Sequence, residues 1–349
     1  MRVSSNLDLQ TLEAALNDFS KARVAMIGDL CLDLYIFGDM RLSELSRETP
    51  HFPIPVVSER YNPGGAGNVA NNIAALKPAS FTAIGLVGDD WRGDLLLRAL
   101  RDNGVDDANI IRSSEVTTNT YVKVIRRGIS DVAYEDPRID FENRKPLSDA
   151  LADRLISALD RAEFDVLVVS DQMKYGCITP RIREHISRIA ESGKIVLVDS
   201  RDHAADYRKV IVKPNEVEAA RAFGDLDDAD APQLDPNDAQ SIHDFAQRII
   251  GKIAARNGER AVITLGSQGC MVYDGEEIHC PAHPTKPPVD IVGAGDTFIS
   301  AMGTALAAGH DLETAARIAC LASAVTVRKI GTTGTATREE ILAVAAEKN

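Results

Sequence analysis

Residues 290–296 read Asp-Ile-Val-Gly-Ala-Gly-Asp and open a long apolar segment, Thr297 to Ala308. Gly293, Ala294 and Gly295 carry little or no side chain, so a phosphate can approach their backbone N–H groups closely. The segment behind them is helical in pattern, which sets those donors at a helix N-terminus, where the macrodipole also favours an anion. Asp296 follows at once. A carboxylate repels a resting phosphate, so its place beside an anion cradle needs a further reason. Taking a proton from a hydroxyl that attacks the phosphate supplies one. A tight Gly-Ala-Gly turn capped by aspartate is the alternative for the same residues.

Three more clusters have types and spacings that bear on chemistry. Pro63-Gly64-Gly65-Ala66-Gly67-Asn68 is a Gly-rich turn opening a helix, and the Asn68 amide can serve sugar hydroxyls or cap the helix start. Its Gly65-x-Gly67-x-x-Ala70 pattern partly matches a dinucleotide fingerprint. That fingerprint starts directly at the end of a first core strand; here a Ser-Glu-Arg-Tyr-Asn-Pro spacer precedes it and a better first strand lies at Val24–Gly28, which sets a dehydrogenase aside. Asn215 and Glu218 lie three apart on a first helical turn and can reach a magnesium ion through water, or form a capping box. Thr264, Gly266 and Gly269 run from a strand end into a glycine turn that can line a nucleotide, or simply join two strands of a hairpin.

These residues need elements to hold them. Apolar, β-branched runs at Val24–Gly28, Phe81–Val87, Val166–Ser170, Ile195–Asp199, Val210–Val212 and Ala261–Leu265 predict strands. Helical patterns between them cover Asn68–Leu76, Gly93–Asp102, Ala150–Arg161, Pro180–Glu191, Glu216–Phe223 and Ala239–Arg256. The alternation predicts a parallel α/β sheet, with Asp29, Asp171 and Asp199 just past strand ends, where ligands gather or helices are capped. Leu34–Val57 and Thr118–Arg138 break the pattern with strands that have no helices between them, predicting a small β lid from two insertions. Its open face and edges would be covered by the active site or by a second subunit. Gly224–Asp238 predicts a solvated surface loop.

The chain has 349 residues, 44% of them hydrophobic, enough for one large domain with an elaboration or for two domains. A net charge of −13 argues against nucleic acid or an anionic membrane as main partner, while leaving room for a local basic pocket. Five scattered cysteines without a C-x-x-C pair fit reduced thiols. With no signal-peptide pattern and no membrane-length apolar run, a cytoplasmic location is expected.

Taken together, these motifs resemble the ribokinase (PfkB) sugar-kinase family in order and spacing, from about Val24 to Val344. The resemblance implies a single ribokinase-like domain over residues 1–349, a three-layer α/β/α sandwich with lid insertions at about 34–61 and 112–142. It implies Asp296 as catalytic base with Gly293, Ala294 and Gly295 as anion hole. Asn215 and Glu218 would organise Mg2+ and phosphates, Thr264, Gly266 and Gly269 would contact ATP, and Asp29, Asp33, Gly64, Gly65 and Asn68 would hold the sugar. By the same resemblance a monovalent cation (K+) would sit near the carbonyls of Asp290 and Gly331–Gly334.

Gly28-Asp29-x-x-x-Asp33-x-Tyr35, Arg138–Glu142, Ser170-Asp171-x-x-Lys174-x-Gly176 and Val198–Arg201 look like the subgroup acting on heptose 7-phosphate. Those kinases phosphorylate the anomeric hydroxyl of a sugar that already carries a phosphate, which makes Lys174 and Arg201 candidates for that phosphate. Arg47, Lys123 and Arg138 of the lid rank behind them and are read first as surface charges. Gln172-Met173, the Ser-Arg-Glu-Thr-Pro stretch from Ser46 and the extra His51-Phe52 depart from the subgroup, as does Ile291 from the family. The first three touch the expected sugar pocket and leave another phosphosugar open. The chain also lacks the nucleotidyltransferase half fused to many relatives, which fits a stand-alone kinase. A lid-mediated homodimer is expected; a non-catalytic sugar-binding protein is the rival of a different class.

Overall fold

The structure, a computed structural model, describes residues 1–128, 130, 132–228 and 230–347. In chain order the strands are β1 (Arg2–Val3), β2 (Arg23–Gly28), β3 (Leu30–Asp39), β4 (Val56–Gly65), β5 (Ser80–Gly88), β6 (Ile110–Ser113), β7 (Asn119–Arg127), β8 (Ala133–Glu135), β9 (Ile139–Phe141), β10 (Val166–Asp171), β11 (Ile195–Ser200), β12 (Ile211–Val212), β13 (Arg260–Thr264), β14 (Cys270–Asp274) and β15 (Glu277–Cys280). The α-helices are α1 (Leu9–Asp18), α2 (Ala66–Ala75), α3 (Trp91–Asp102), α4 (Asp149–Arg161), α5 (Pro180–Glu191), α6 (Glu216–Phe223), α7 (Ala239–Asn257), α8 (Ala294–Ala307), α9 (Leu312–Thr326) and α10 (Arg338–Ala345).

The main sheet runs β1-β15-β14-β13-β12-β11-β10-β2-β5-β6. Its pairs are parallel except β13–β14 and β14–β15. Side chains alternate between its faces with the period of two that a strand imposes. Val24, Met26, Val166 and Val168 join one core with α1, α2, α3, α8, α9 and α10, while Ala25, Ile27, Leu167 and Val169 join a second core with α4, α5, α6 and α7. Two cores on one sheet make the three-layer α/β/α sandwich expected from the sequence.

From β2 the chain winds outward through β5 and β6, then returns to the other side through β10 and β11. The order of winding therefore reverses between the parallel neighbours β2 and β10, the crevice where open α/β sheets take ligands. Helix α8 crosses this region, buried from Thr297 to Ala307. Its Gly303 is needed for that approach, because a Cβ there would lie 2.5 Å from Val168 Cγ2.

The lid is a second sheet ordered β4-β3-β7-β8, with β9 also pairing β7. It starts earlier than Leu34, since β3 follows β2 after Asp29 alone. The polar alternation that marks a half-exposed strand is missing there: Leu30 to Tyr35 are all buried, Asp33 among them. The Gly-rich stretch is also less of a turn than expected. Asn62, Pro63, Gly64 and Gly65 are the end of β4, paired in register with Asp33, Leu32, Cys31 and Leu30. Only Gly65, at φ +53°, makes the corner into α2. The acidic stretch after Gly224 is tied down more than a solvated loop would be, by Asp225–Arg256, Asp227–Arg248 and Asp228–Lys252 ion pairs to α7; its Ala229 lies outside the described residues.

Candidate active site

Gly293 is the N-cap of α8 at φ +81°, a left-handed conformation that glycine adopts without steric cost. A Cβ there would also lie 2.7 Å from Asn68 Nδ2. The Ala294 N–H is used within the turn, donating to Ile291 O at 3.1 Å. That leaves the N–H groups of Gly295 and Asp296 without a backbone partner among the described residues, as first-turn donors of an α-helix are.

Asp296 Oδ2 accepts from Asn68 Nδ2 at 2.8 Å. Asn68 is fully buried, with its amide nitrogen directed at this carboxylate. Asn72, one turn on, donates to Asn68 O at 3.0 Å, and its Oδ1 accepts from Thr297 Oγ1 at 3.1 Å. Helices α2 and α8 are thus stitched together directly beneath the carboxylate. Burial pushes the Asp296 carboxyl up to about 7, helped by the Asp199 and Asp33 charges and opposed by the Asn68 amide and the Lys213 ammonium.

Lys213 was not singled out from the sequence. It follows β12, is almost wholly buried, and pairs with Asp199 Oδ2 at 3.1 Å. A Cβ on Gly295 would come 4.0 Å from its Nζ, so the ammonium stands beside the cradle. Burial works against its charge, yet Asp199, Glu218 and Asp296 outweigh that and hold it above the ordinary lysine value. The available signal was a lysine placed directly after the apolar run Val210–Val212, at a strand's carboxyl end.

Asn215 and Glu218 form the capping box: Glu218 N donates to Asn215 Oδ1 at 2.8 Å, and Asn215 N donates to Glu218 Oε2 at 3.0 Å. Burial and the Asp199 charge raise the Glu218 carboxyl, against Lys213 and the Asn215 N–H. The turn expected to meet a nucleotide lies alongside, since Asn215 and Thr264 form a parallel bridge. Gly266 and Gly269 have φ of +54° and +93°, and a Cβ on Gly269 would lie 2.1 Å from Cys280 O.

On the lid side, Asp33 is buried against Gly64, where a Cβ would lie 2.6 Å from Asp33 Oδ2. Burial raises the Asp33 carboxyl, opposed by Lys123 and Arg138. Lys123 turns inward rather than to solvent, with Nζ 4.0 Å from Asp33 Oδ1 and donating to Tyr35 Oη at 3.1 Å. Arg138 lies over the Tyr121 ring at 4.1 Å and donates to both oxygens of Asp140. Arg47 is exposed in the segment between β3 and β4.

Asp29 does not join this group. Its carboxylate accepts from the N–H groups of Gln172 (2.9 Å), Met173 (2.8 Å) and Cys177 (2.7 Å), which places it under the loop after β10, where it lines a cavity with Leu30, Asn119 and Tyr175. Burial pushes it up to about 6, aided by the Asp171 charge. Gly176 lets the loop close on it, since a Cβ there would fall 2.0 Å from Asp29 Oδ1. That loop carries Lys174, exposed and 5.4 Å from the Tyr175 ring centre. Arg201, also exposed, is fixed through its N–H to Asp171 O at 3.0 Å.

The chain belongs to the PfkB family of carbohydrate kinases, whose profile matches residues 21–338. It is 33% identical over 350 residues to the bifunctional protein HldE of Trichlorobacter lovleyi, covering 98% of this chain and 66% of that protein. It is 34% identical over 337 residues to the bifunctional protein HldE of Bradyrhizobium diazoefficiens, covering 94% of this chain and 64% of that one. The chain thus spans a little under two thirds of these curated relatives. Among solved structures, ribokinase of Arabidopsis thaliana with ribose and ATP superposes with a TM-score of 0.68 at 20% identity, covering 94% of this chain and 100% of that one. Phosphofructokinase-2 of Escherichia coli with substrates and products gives 0.70 at 23%, covering 93% and 98%. These two likenesses establish the ribokinase-like fold. Among the described residues no helix is long and apolar enough to cross a membrane.

The shifted Asp296 carboxyl has a consequence for stability. Its value of about 7 lies above the ordinary 3.8, so the folded state binds this proton more tightly than the unfolded chain. The contribution therefore favours folding below about 4 and is lost as pH rises towards 7. Asp296→Asn is expected to raise Tm at pH 8, with the gain shrinking towards zero near pH 4, measured by thermal unfolding across that range.

Proposed function

We propose that this chain transfers the γ-phosphoryl group of MgATP to a sugar hydroxyl, with Asp296 as general base. The observation that carries it is the Asp296 carboxylate, held by Asn68 and pushed up to about 7, at a helix N-terminus with unused N–H donors and a buried lysine alongside. A base of that strength takes a proton near neutral pH, and the fixed donors meet the charge of the phosphoryl group without reorganising. Lys213 adds a cation on the same side.

ATP would lie along the strand ends between Asn215 and the turn containing Thr264, Gly266 and Gly269. The residues suit a magnesium ion held through water: Asn215 and Glu218 spend one oxygen each on the capping box, and Glu218 keeps its second. When bound, the ion neutralises charge on the phosphates. The sugar would sit under the lid between Asp33, Gly64, Gly65 and Asp296.

The acceptor we favour is O1 of D-glycero-β-D-manno-heptose 7-phosphate, giving the 1,7-bisphosphate. Support comes from the subgroup motifs around Asp29, Arg138, Asp171 and Arg201, and from relatives named HldE. The 7-phosphate that the acceptor already carries gives Lys174, Arg201 and Lys123 a use. ADP release with MgATP is expected to be selective for this sugar over sedoheptulose 7-phosphate, fructose 6-phosphate, ribose, fructose and adenosine. Turnover of one of the others instead would discard the heptose and keep the base. Asp296→Asn is expected to lower turnover by roughly 10²–10⁴ with ATP affinity little changed; a near-wild-type rate would remove Asp296 from its role.

We further propose that two copies pair through the lid. Strand β4 is an edge of the lid sheet, and Phe52, Val56 and Val57 on and before it are each more than half exposed, an arrangement that invites pairing. Sedimentation should show a dimer that Val57→Lys converts to monomer; a monomeric wild-type chain at all concentrations would exclude the pairing.

A further inference from the structure

A monovalent cation is expected from the family resemblance at the carbonyls of Asp290 and Gly331–Gly334, but two of those carbonyls already accept side-chain hydrogen bonds. Gly331 O accepts from the guanidinium of Arg60, which reaches down from lid strand β4. Arg60 is held there by the rings of Tyr35 at 4.4 Å and Phe37 at 5.8 Å. Gly334 O accepts from Asn72 Nδ2 at 3.3 Å. The next carbonyl, Thr335 O, accepts from the Lys329 ammonium at 2.6 Å, and the same ammonium pairs with Glu340 at 2.6 Å. The side-chain carboxylate of Asp290 is held as well, Oδ2 by Gly331 N–H at 2.8 Å and Oδ1 by Val292 N–H at 3.1 Å.

Two fixed cations therefore already face this turn. A third positive charge close to either would meet electrostatic repulsion. It would also have to share carbonyls that already accept hydrogen bonds. The turn matters because it adjoins the cradle: Asp290 joins Gly331 to Val292, the residue before the Gly293 N-cap of α8.

We propose that Arg60 and Lys329 replace a bound monovalent cation in this chain, so that the turn supporting the cradle needs no K+ and is instead tied to the lid through Arg60. The inference rests on the carbohydrate-kinase reading only for its link to turnover; the ion exclusion itself does not need it. A carbonyl turn that relied on a soluble ion would order itself whether the lid were open or closed. Here the cation is delivered by β4, and the turn is completed when the lid lies on the core.

The test uses the full chain in chloride salts of K+, Na+ and tetramethylammonium at equal ionic strength. An ion that binds the folded state raises Tm by mass action. Wild type is expected to show the same Tm in all three salts, and ADP-release rates within about twofold of one another. A K+-selective rise in wild-type Tm, or several-fold activation by K+, would overturn the proposal. Arg60→Gln frees Gly331 O and is expected to gain a K+-selective rise in Tm that tetramethylammonium does not give; no such gain would also overturn the replacement. If that variant does not fold, the wild-type comparison still decides. If ADP release is absent in every salt the kinase reading fails, while the Tm comparison still judges the ion.

Discussion

A carboxylate set at the N-terminus of a buried helix, in contact with a buried amide, is the constraint around which this molecule is arranged. Asp296 cannot be solvated freely where it stands, so its position has to be imposed by rigid neighbours. Helix α8 supplies one of them, packed into the sheet through Gly303 and buried along its length. Helix α2 supplies the other, bringing Asn68 to the carboxylate and Asn72 to Thr297. Gly293 is the joint between them, because its missing side chain is what allows the Asn68 amide to come so close.

The charges around this pair follow from the same constraint. Asp199, Glu218 and Asp33 would make a buried acidic cluster that no anionic nucleotide could enter. Lys213 offsets it from within, and Lys123 and Arg138 do so from the lid. An acidic chain therefore carries its positive charge where a phosphate would arrive, held by carboxylates that also oppose its deprotonation. Asp29 and Asp171 work one layer lower: the first holds the loop that bears Lys174, and the backbone carbonyl of the second fixes Arg201.

Much of this was legible in the sequence. The strands and helices of the sandwich were marked by runs with period two or 3.6, and α5 and α6 carry the caps that set their ends, Thr179 with Pro180 and Asn215 with Glu218. The helix start at Gly293 was legible because small residues ahead of a long apolar helical run mark such a turn. What was hidden depends on contacts made across long sequence distances. The bonds of Asp29 were hidden because its partners, the N–H groups after Asp171, carry no side-chain signature. That of Asn68 was hidden because nothing local shows that Asp296 is 2.8 Å away. Lys213 was passed over since a single lysine after a strand is ordinary, and only the fold gathers three carboxylates around it. The start of the lid was blurred where burial on both faces removed the alternation that identifies a strand.

Membership of the PfkB family gives the class of reaction, and the mechanism we propose for this chain turns on Asp296. The most direct measurement is the titration of that one carboxyl, by carbon NMR of the chain labelled at the aspartate carboxyl carbon, with Asp296→Asn assigning the signal. A midpoint near 7 is the result required by a carboxylate buried beside Asp199 and poised to take a proton from a hydroxyl. A midpoint near the ordinary 3.8 would mean that water reaches and solvates the group, and would contradict the account of Asp296 as a base tuned by burial.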